Sequence, residues 1–387
     1  MSKQRSRDAA RRLFGIDASR AALARRTGTE GYAYYLIREL IPLAKARGHT
    51  LRLYFNQEPP LDLFHDAANV EKVVIPFPRL WTHLRLAWEL RERTPDVFFT
   101  PAHVVPLTFT GRAVATVHDL GFHYFPKAHT RQQAAYLRWS TQHNARRSVR
   151  VLADSNATKS DLSSLYGVEP GKITVVYPGV DPALAPERNA DTLAQVQGKY
   201  RIVAPYLLYL GTLQPRKNLQ RLVEAYVQSS VSHQLVLAGR AGWLSEPILQ
   251  TIANLAAQIG PSADSGSIRL TGYVAGEDKA ALLSGATALL YPSLYEGFGF
   301  PILEAQACAT PVLCADNSSQ PEVAGEAALL VPASDTQAIA AGIRRLVQDE
   351  SLRAKLVQDG LANVKRFNWQ QAAQRVMDLL EDVSVSE

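Results

Sequence analysis

Arg216 and Lys217 stand side by side in Gly211-Thr212-Leu213-Gln214-Pro215-Arg216-Lys217-Asn218, directly after the apolar run YLLYL. Gly211 and Pro215 permit and fix a loop, Asn218 is a good helix N-cap, and Leu219, Leu222, Val223 and Tyr226 give the apolar stripe of a following helix. Two fixed cations beside the positive end of a helix form a site for an anion, most naturally a phosphate or diphosphate. A solvated basic pair would show the same residues, so the pair does not decide alone. A second run, Leu294-Tyr295-Glu296-Gly297-Phe298-Gly299-Phe300-Pro301-Ile302-Leu303-Glu304, follows ATALLYPS. Its glycines lead into a helix with Pro301 in the first turn, so backbone N–H groups face away from a strand end. Glu296 falls in the loop and Glu304 one turn into the helix, where two carboxylates can do separate jobs on one ligand. Such carboxylates are also common caps; the combination of a cation pair, a Gly-rich helix start and two acids is what favours a site.

The elements that must position these residues are legible as alternating patterns. In the first half LFGID (13 to 17), TLRLYF (50 to 55), KVVIP (72 to 76), DVFFTP (96 to 101), AVATVHD (113 to 119), VRVLAD (149 to 154) and ITVVYP (173 to 178) read as strands. Helical patterns lie between them, from Gly31 to Arg47, Arg79 to Arg93, His129 to Arg147 and Ala157 to Tyr166. The second half repeats the scheme, with strands at 206 to 211, 233 to 239, 267 to 274, 286 to 292, 311 to 316 and 327 to 332, and helices beginning near Asn218, Leu244, Glu277, Phe300 and Asp335. Strands that are apolar throughout and separated by helices imply parallel sheets covered on both faces. Two doubly wound α/β domains follow, and ligands of such domains lie beyond the carboxyl ends of the strands.

Composition narrows the class. At 387 residues and 47% apolar, the chain has the length of two or three domains of roughly 150 residues each. The net charge of +6 conceals an asymmetry. Residues 1 to 180 carry 26 basic and 15 acidic side chains, the remainder 16 and 21. The boundary coincides with Pro178, Gly179, Pro182 and the polar stretch PERNADTLAQVQGKYR, read as a linker. The expected division is 1–185 as the first domain, 186–205 as linker, 206–367 as the second domain, and 368–387 as a terminal helix crossing back. Cys308 and Cys314 exclude a disulfide scaffold and a four-cysteine zinc site, and read as buried thiols. No apolar run has the length of a membrane span, and the charged start is unlike a signal peptide, so a cytoplasmic protein is expected.

The stretch PSLYEGFGFPILEAQACATPVLCADNSSQPEV, together with GTLQPRKN and LTGYV, resembles the retaining nucleotide-sugar glycosyltransferases of the GT-B fold, in particular family 4 and its mannosyltransferase-like members. The resemblance covers most of the chain and is strongest from 205 to 335. One departure is Ala309, where the family usually has Gly. It implies a GT-B architecture of two Rossmann-like domains facing a cleft, with the donor in the second domain and the acceptor in the first. Arg216 and Lys217 would stabilise the departing diphosphate, where donors placed on developing charge contribute most. By the same resemblance Glu304 holds the nucleotide ribose, Glu296 contacts the transferred sugar, and the backbone of Gly297, Phe298, Gly299 and Phe300 binds its hydroxyls or the phosphate. The base would rest near Tyr273 and Val274, with Gly211 and Arg240 beside the nucleotide. His118, followed by Asp119 at a strand end, resembles the family's active-site histidine near the donor sugar and β-phosphate. The loop Thr27-Gly28-Thr29-Glu30-Gly31 resembles the family's Gly-containing loop over diphosphate and acceptor; turn chemistry explains the same residues.

The expected reaction is hexosyl transfer, from GDP-mannose in first place and UDP-glucose in second, to a glycan or lipid-linked glycan. No cofactor and no metal are expected, since Asp-x-Asp is missing. RLWTHLRLAWELRER (79 to 93) and RQQAAYLRWSTQHNARR (131 to 147) mix Arg with Trp and Leu as interfacial helices do, so peripheral contact with anionic membrane through the basic half is considered beside plain core packing. Nucleic acid is a poor partner, for no binding module is recognisable. Two rival classes stand beside the transferase. One is a GT-B relative of another chemistry, such as a sugar-nucleotide epimerase or a glycan phosphorylase, which fits the Arg-Lys and two-glutamate combination less well. The other is a non-catalytic two-domain sugar-nucleotide-binding protein.

Overall fold

A computed structural model describes residues 11–23, 28–64, 67–77, 79–126, 130–242, 246–259 and 267–385. Two compact units emerge, one of Met1–His118, Leu137–Gly179 and Asn368–Glu387, the other of Asp119–Tyr136 and Val180–Phe367.

The first unit holds β1 (Leu13–Asp17), β2 (Thr50–Phe55), β3 (Val70–Val74), β4 (Val97–Thr100), β5 (Ala113–Val117), β6 (Arg150–Ala153) and β7 (Ile173–Val175). They form one sheet in the order β3-β2-β1-β4-β5-β6-β7, with parallel pairs throughout. The second unit holds β8 (Tyr206–Leu210), β9 (Gln234–Ala238), β10 (Ile268–Gly272), β11 (Ala288–Tyr291), β12 (Val312–Ala315) and β13 (Leu329–Val331), ordered β10-β9-β8-β11-β12-β13 and again parallel. Each of the thirteen apolar runs forms its strand, and the central ones are buried along their length. In both sheets the order reverses beside the first strand, between β1 and β4 and between β8 and β11, which creates a switch point at the carboxyl edge.

Several local expectations change. The 186–205 stretch is not an irregular linker throughout, since it contains the helix Ala190–Tyr200, started by Asn189, whose side chain accepts from the N–H groups of Asp191 and Thr192. Its buried residues, Val196 and Tyr200, lie one turn apart, and Tyr200 Oη and Lys199 Nζ both donate to Asp278 at 2.6 Å. The helix expected from Arg79 to Arg93 is a π-helical turn, Thr82–Leu86, leading into an α-helix, Ala87–Glu92. Trp81 and Leu86 stand five residues apart and both enter the core with Leu90, a spacing that a wide π turn satisfies and an α turn does not. The segment Gly28-Thr29-Glu30-Gly31 is not a free loop: it forms the first turn of the helix Gly28–Ala46, with Glu30 placed at the favourable end of the helix dipole and 3.7 Å from Arg20. Thr27 and His129 lie outside the described residues.

The terminal helix Trp369–Val385 belongs to the first unit and packs against Gly28–Ala46. Trp369 stacks on Tyr35 at 5.6 Å, and Arg47 reaches Asp378 and Glu381 at 2.7 Å each. Both cysteines are buried, and burial raises the Cys308 thiol to about 12. Among the described residues no helix is long and apolar enough to cross a membrane, and no cluster of His, Cys, Asp and Glu could hold a metal ion.

Candidate active site

In the second unit the site begins with two glycines. Gly211 follows β8 and Gly239 follows β9, and a Cβ on Gly239 would lie 1.8 Å from the carbonyl oxygen of Gly211. Only glycine allows the two strand ends to close to that distance. The chain then turns through the 3₁₀ segment Pro215–Lys217 to Asn218, which adopts a left-handed conformation with φ 61° and makes no side-chain cap. Asn218 was expected to cap the helix. Instead its Nδ2 donates to the carbonyls of Pro292 at 2.9 Å and Ala333 at 2.7 Å, tying the loop after β8 to the ends of β11 and β13. That tie turns the preceding residues inward.

Lys217 is accordingly buried, at 8% exposure, and its Nζ donates to both oxygens of Glu296 at 2.6 and 2.8 Å and to Tyr291 Oη at 2.7 Å. Arg216 Nη1 donates to the Tyr295 carbonyl at 2.6 Å and to Glu296 Oε2 at 3.3 Å, and Nη2 lies 3.7 Å from Asp119. The pair is therefore not a solvated cation patch: two cations enclose one carboxylate. Burial alone would raise the pKa of Glu296, but the charges of Lys217 and Arg216 overcome it and hold the group at about 2, ionised at every physiological pH. Burial draws Lys217 below the ordinary lysine range, opposed by Glu296, while burial and the Glu296 charge keep the phenols of Tyr209 and Tyr291 neutral.

The loop bearing Glu296 is fixed from below. Its backbone N–H donates to Ser318 Oγ at 3.0 Å, and Ser319 Oγ donates to the carbonyls of Glu296 and Phe298 at 2.9 and 2.7 Å. Gly297 is buried, the Phe298 ring packs on Phe300 and Phe367, and Gly299 takes a φ of 107° to start the helix Phe300–Ala307. Phe298 thus contributes backbone to the loop and its side chain to the core. Glu304 is not in the Lys217 cluster. Its Oε1 accepts from Lys279 Nζ at 2.7 Å, and both side chains are largely buried. Arg240 lies over the exposed Tyr273 ring at 4.5 Å, with Val274 buried beside it in sequence.

In the first unit His118 follows β5. Its Nδ1 lies 2.6 Å from Asp154 Oδ2 and its Nε2 2.8 Å from the carbonyl oxygen of Pro101, while the Tyr32 ring meets it edge-on at 4.8 Å. At the switch point of this sheet Asp17, 2% exposed, accepts from the N–H and hydroxyl of Ser19, and His103 nearby is kept below the ordinary histidine range by burial.

The structure therefore unites Arg216, Lys217, Glu296 and Asp119, places Glu304 with Lys279 and Arg240 with Tyr273, and keeps His118 with Asp154. Sequence reasoning missed Asp154, Lys279, Tyr291 and Asp17. Asp154 and Asp17 each end or follow a recognised strand run, a position that could have marked them. Tyr291 ends β11 and carried the same mark, whereas Lys279 has no such signal, for its partner lies 25 residues away.

Comparison with known proteins agrees with this architecture. The family described as "Glycosyl transferases group 1" matches residues 199–363, and the one described as "Glycosyltransferase Family 4" matches residues 26–184. The O-antigen chain mannosyltransferase B of Escherichia coli is 32% identical over 332 residues, covering 84% of this chain and 82% of that protein. A D-inositol 3-phosphate glycosyltransferase of Nocardioides is 27% identical over 241 residues, 59% of this chain and 52% of that protein. Among solved structures, the sucrose-phosphate synthase of Thermosynechococcus elongatus superposes with a TM-score of 0.73 at 20% identity, covering 96% of this chain and 99% of that one, which is a likeness of fold. With paired parallel sheets of this order and a relative of this extent, the chain belongs to the family 4 glycosyltransferases of the GT-B fold.

Proposed function

We propose that the protein moves a hexose, mannose from GDP-mannose in the first instance, from a nucleoside diphosphate to a glycan or lipid-linked glycan, with retention of anomeric configuration. The observation that carries this reading is the buried Arg216–Lys217–Glu296 cluster at the switch point of the second sheet. Departure of a nucleoside diphosphate develops negative charge, and preorganised donors in a water-poor site stabilise it far better than solvent does. Arg216 and Lys217 serve that charge. Glu296 holds the two cations in place and offers its carboxylate to the sugar hydroxyls, with the backbone from Gly297 to Phe300 beside it. Glu304 accepts from the ribose diol, and the base rests against Tyr273 and Val274. His118, Asp119 and the turn from Gly28 to Gly31 serve the donor sugar and acceptor side, and the basic first unit takes the acceptor. No metal or cofactor enters this reading. Mannose is preferred because the relative of greatest overlap quoted above is named as a mannosyltransferase; UDP-glucose is the second donor.

The test is incubation with GDP-mannose, UDP-glucose and an ADP-sugar in chelator, following nucleoside diphosphate release and the anomeric configuration of the product. Turnover with GDP-mannose and an α-linked product support the reading. Binding without release of diphosphate would favour the non-catalytic alternative, and an inverted product would overturn retention.

Membrane contact rests on a separate feature of the first unit. Leu80, Leu84 and Trp88 recur every four residues and are 67%, 52% and 61% exposed, while Trp81, Leu86 and Leu90 of the same segment are buried in the core. Arg79, Arg85 and Arg91 are exposed among them. An apolar stripe interleaved with arginine matches an anionic bilayer surface. Flotation with anionic but not neutral vesicles, lost in Trp88→Ser with Leu84→Ser, is expected; equal behaviour toward both vesicles removes the proposal.

A further inference from the structure

We propose that His118 is held as a doubly protonated imidazolium, fixed by Asp154 and the carbonyl of Pro101, and so acts as a permanent positive charge and not as a proton acceptor. The inference rests on donor and acceptor inventory. His118 Nδ1 is 2.6 Å from a carboxylate oxygen of Asp154, and Nε2 is 2.8 Å from a proline carbonyl oxygen, a group with no proton to give. A neutral imidazole has one N–H and one lone pair. In either tautomer one nitrogen would then direct its lone pair at an oxygen lone pair at hydrogen-bond distance. Both contacts are satisfied together only when both nitrogens carry protons. Placing the extra proton on Asp154 would require that carboxyl to be more basic than imidazole.

The surroundings are built for one arrangement. Asp154 follows β6 and is 2% exposed, Pro101 follows β4, and His118 follows β5, so the two contacts tie three adjacent strand ends together. Tyr32, from the helix Gly28–Ala46, closes one side of the ring, with its hydroxyl 3.5 Å from Thr116 Oγ1, and Trp369 backs Tyr32 at 5.7 Å. Burial and the Asp154 charge keep the Tyr32 phenol neutral, so Asp154 supplies the charge facing the imidazole from these elements. The His118 carbonyl also accepts from Thr158 Oγ1 at 3.4 Å, which holds the turn after β5 against the helix Asn156–Tyr166.

The consequence for the reaction rests on the reading above, that His118 lines the transfer site. An imidazolium with both N–H groups engaged has no lone pair with which to take the proton of an acceptor hydroxyl. His118 contributes its charge, favourable to a departing diphosphate, and Asp154 is the positioning residue that maintains it.

The experiment is nitrogen NMR of the full chain labelled with ¹⁵N-histidine, with His118 assigned by difference from His118→Gln, paired with a pH profile of kcat/KM. The expected spectrum shows both His118 nitrogens protonated from pH 6 to pH 9, and in Asp154→Asn a ring that loses one proton in the ordinary histidine range near about 6.5. The expected profile has no wild-type limb between pH 6 and 8, whereas Asp154→Asn acquires one and falls at least about tenfold at pH 8, while keeping more of its activity at pH 6. A singly protonated His118 in the wild type at pH 7.5 overturns the inference, as does an Nδ1 signal placing the proton on Asp154. If the ring is doubly protonated yet His118→Gln transfers sugar at the wild-type rate, the charge assignment stands and the placement of His118 in the transfer site falls.

Discussion

The two sheets share a strand order and differ in what they put at the carboxyl edge. Around the switch point of the second sheet, Lys217 and Arg216 come from the loop after β8 and Glu296 from the loop after β11, and they share hydrogen bonds in a buried cluster. Around that of the first sheet stand Asp17 and His103, and one strand further on His118 is bound to Asp154, with no buried lysine or arginine of this kind among the described contacts. The more basic half of the sequence exposes many of its cations, on segments such as Arg79 to Arg93, and buries Arg52 against Glu71 away from the switch point, while the acidic half places Arg216 and Lys217 at its switch point. A buried ion pair adds little stability over an apolar replacement, and removing one partner is costly. We propose that such a cluster, at the point where this topology binds ligands, is kept for chemistry.

That contrast can be broken most severely at Glu296. Glu296→Gln removes the charge that both cations enclose, and sugar transfer is expected to fall about 100- to 1,000-fold, as for loss of a preorganised electrostatic contact; turnover within threefold of wild type would detach the cluster from catalysis. Gly239→Ala attacks the same edge by sterics. The added methyl meets the Gly211 carbonyl at 1.8 Å, so a loss of about 2–4 kcal/mol in chemical unfolding is expected, and a neutral effect would mean the two loops separate freely.

The pH dependence of stability sharpens the comparison further. Glu296 has a pKa of about 2 in the folded chain against an ordinary 4.5. Because the folded value is the lower one, its contribution is present above pH 4.5 and is lost as pH falls toward 2. That shift corresponds to about 3 kcal/mol. The stability gap between wild type and Glu296→Gln should shrink by about that amount from pH 7 to pH 2; a gap that stays constant from pH 7 to pH 3 would contradict a strongly ionised Glu296. The smallest expected effect belongs to Lys279→Leu, which frees Glu304 from its 2.7 Å partner. The donor KM should rise about tenfold with kcat little changed, the size of one charge-assisted hydrogen bond, and an unchanged KM would assign the ion pair to packing alone.

What could be seen in the sequence follows from where the information is stored. Strands buried on both faces, such as β8, β11 and β12, are apolar at every position and so were visible as runs, and the half-exposed β3 and β10 showed by their β-branched and apolar residues. Arg216, Lys217, Glu296 and Glu304 were visible because glycine and proline mark the loops that bear them. Their pairing was not. The 79-residue separation of Lys217 and Glu296 leaves no local trace, so two cations read as a free anion site turned out to surround a carboxylate. Asn218 has the composition of a cap, and its left-handed backbone is imposed by carbonyls of β11 and β13 loops that local pattern cannot reveal. The helix Ala190–Tyr200 was hidden by polar composition, and the π turn at Thr82 by a spacing of five that amphipathic templates do not contain.

The central claim is that the cluster at the second switch point, and not the basic surface of the first unit, receives the nucleoside diphosphate. Calorimetric titration of GDP and UDP into the wild type, Lys217→Ala, and the triple surface variant Arg79→Ser, Arg85→Ser, Arg91→Ser tests it most directly. The account predicts that Lys217→Ala weakens diphosphate binding about 10- to 100-fold, while the surface variant binds as the wild type does. Undiminished binding by a folded Lys217→Ala, or its loss in the surface variant, would contradict it.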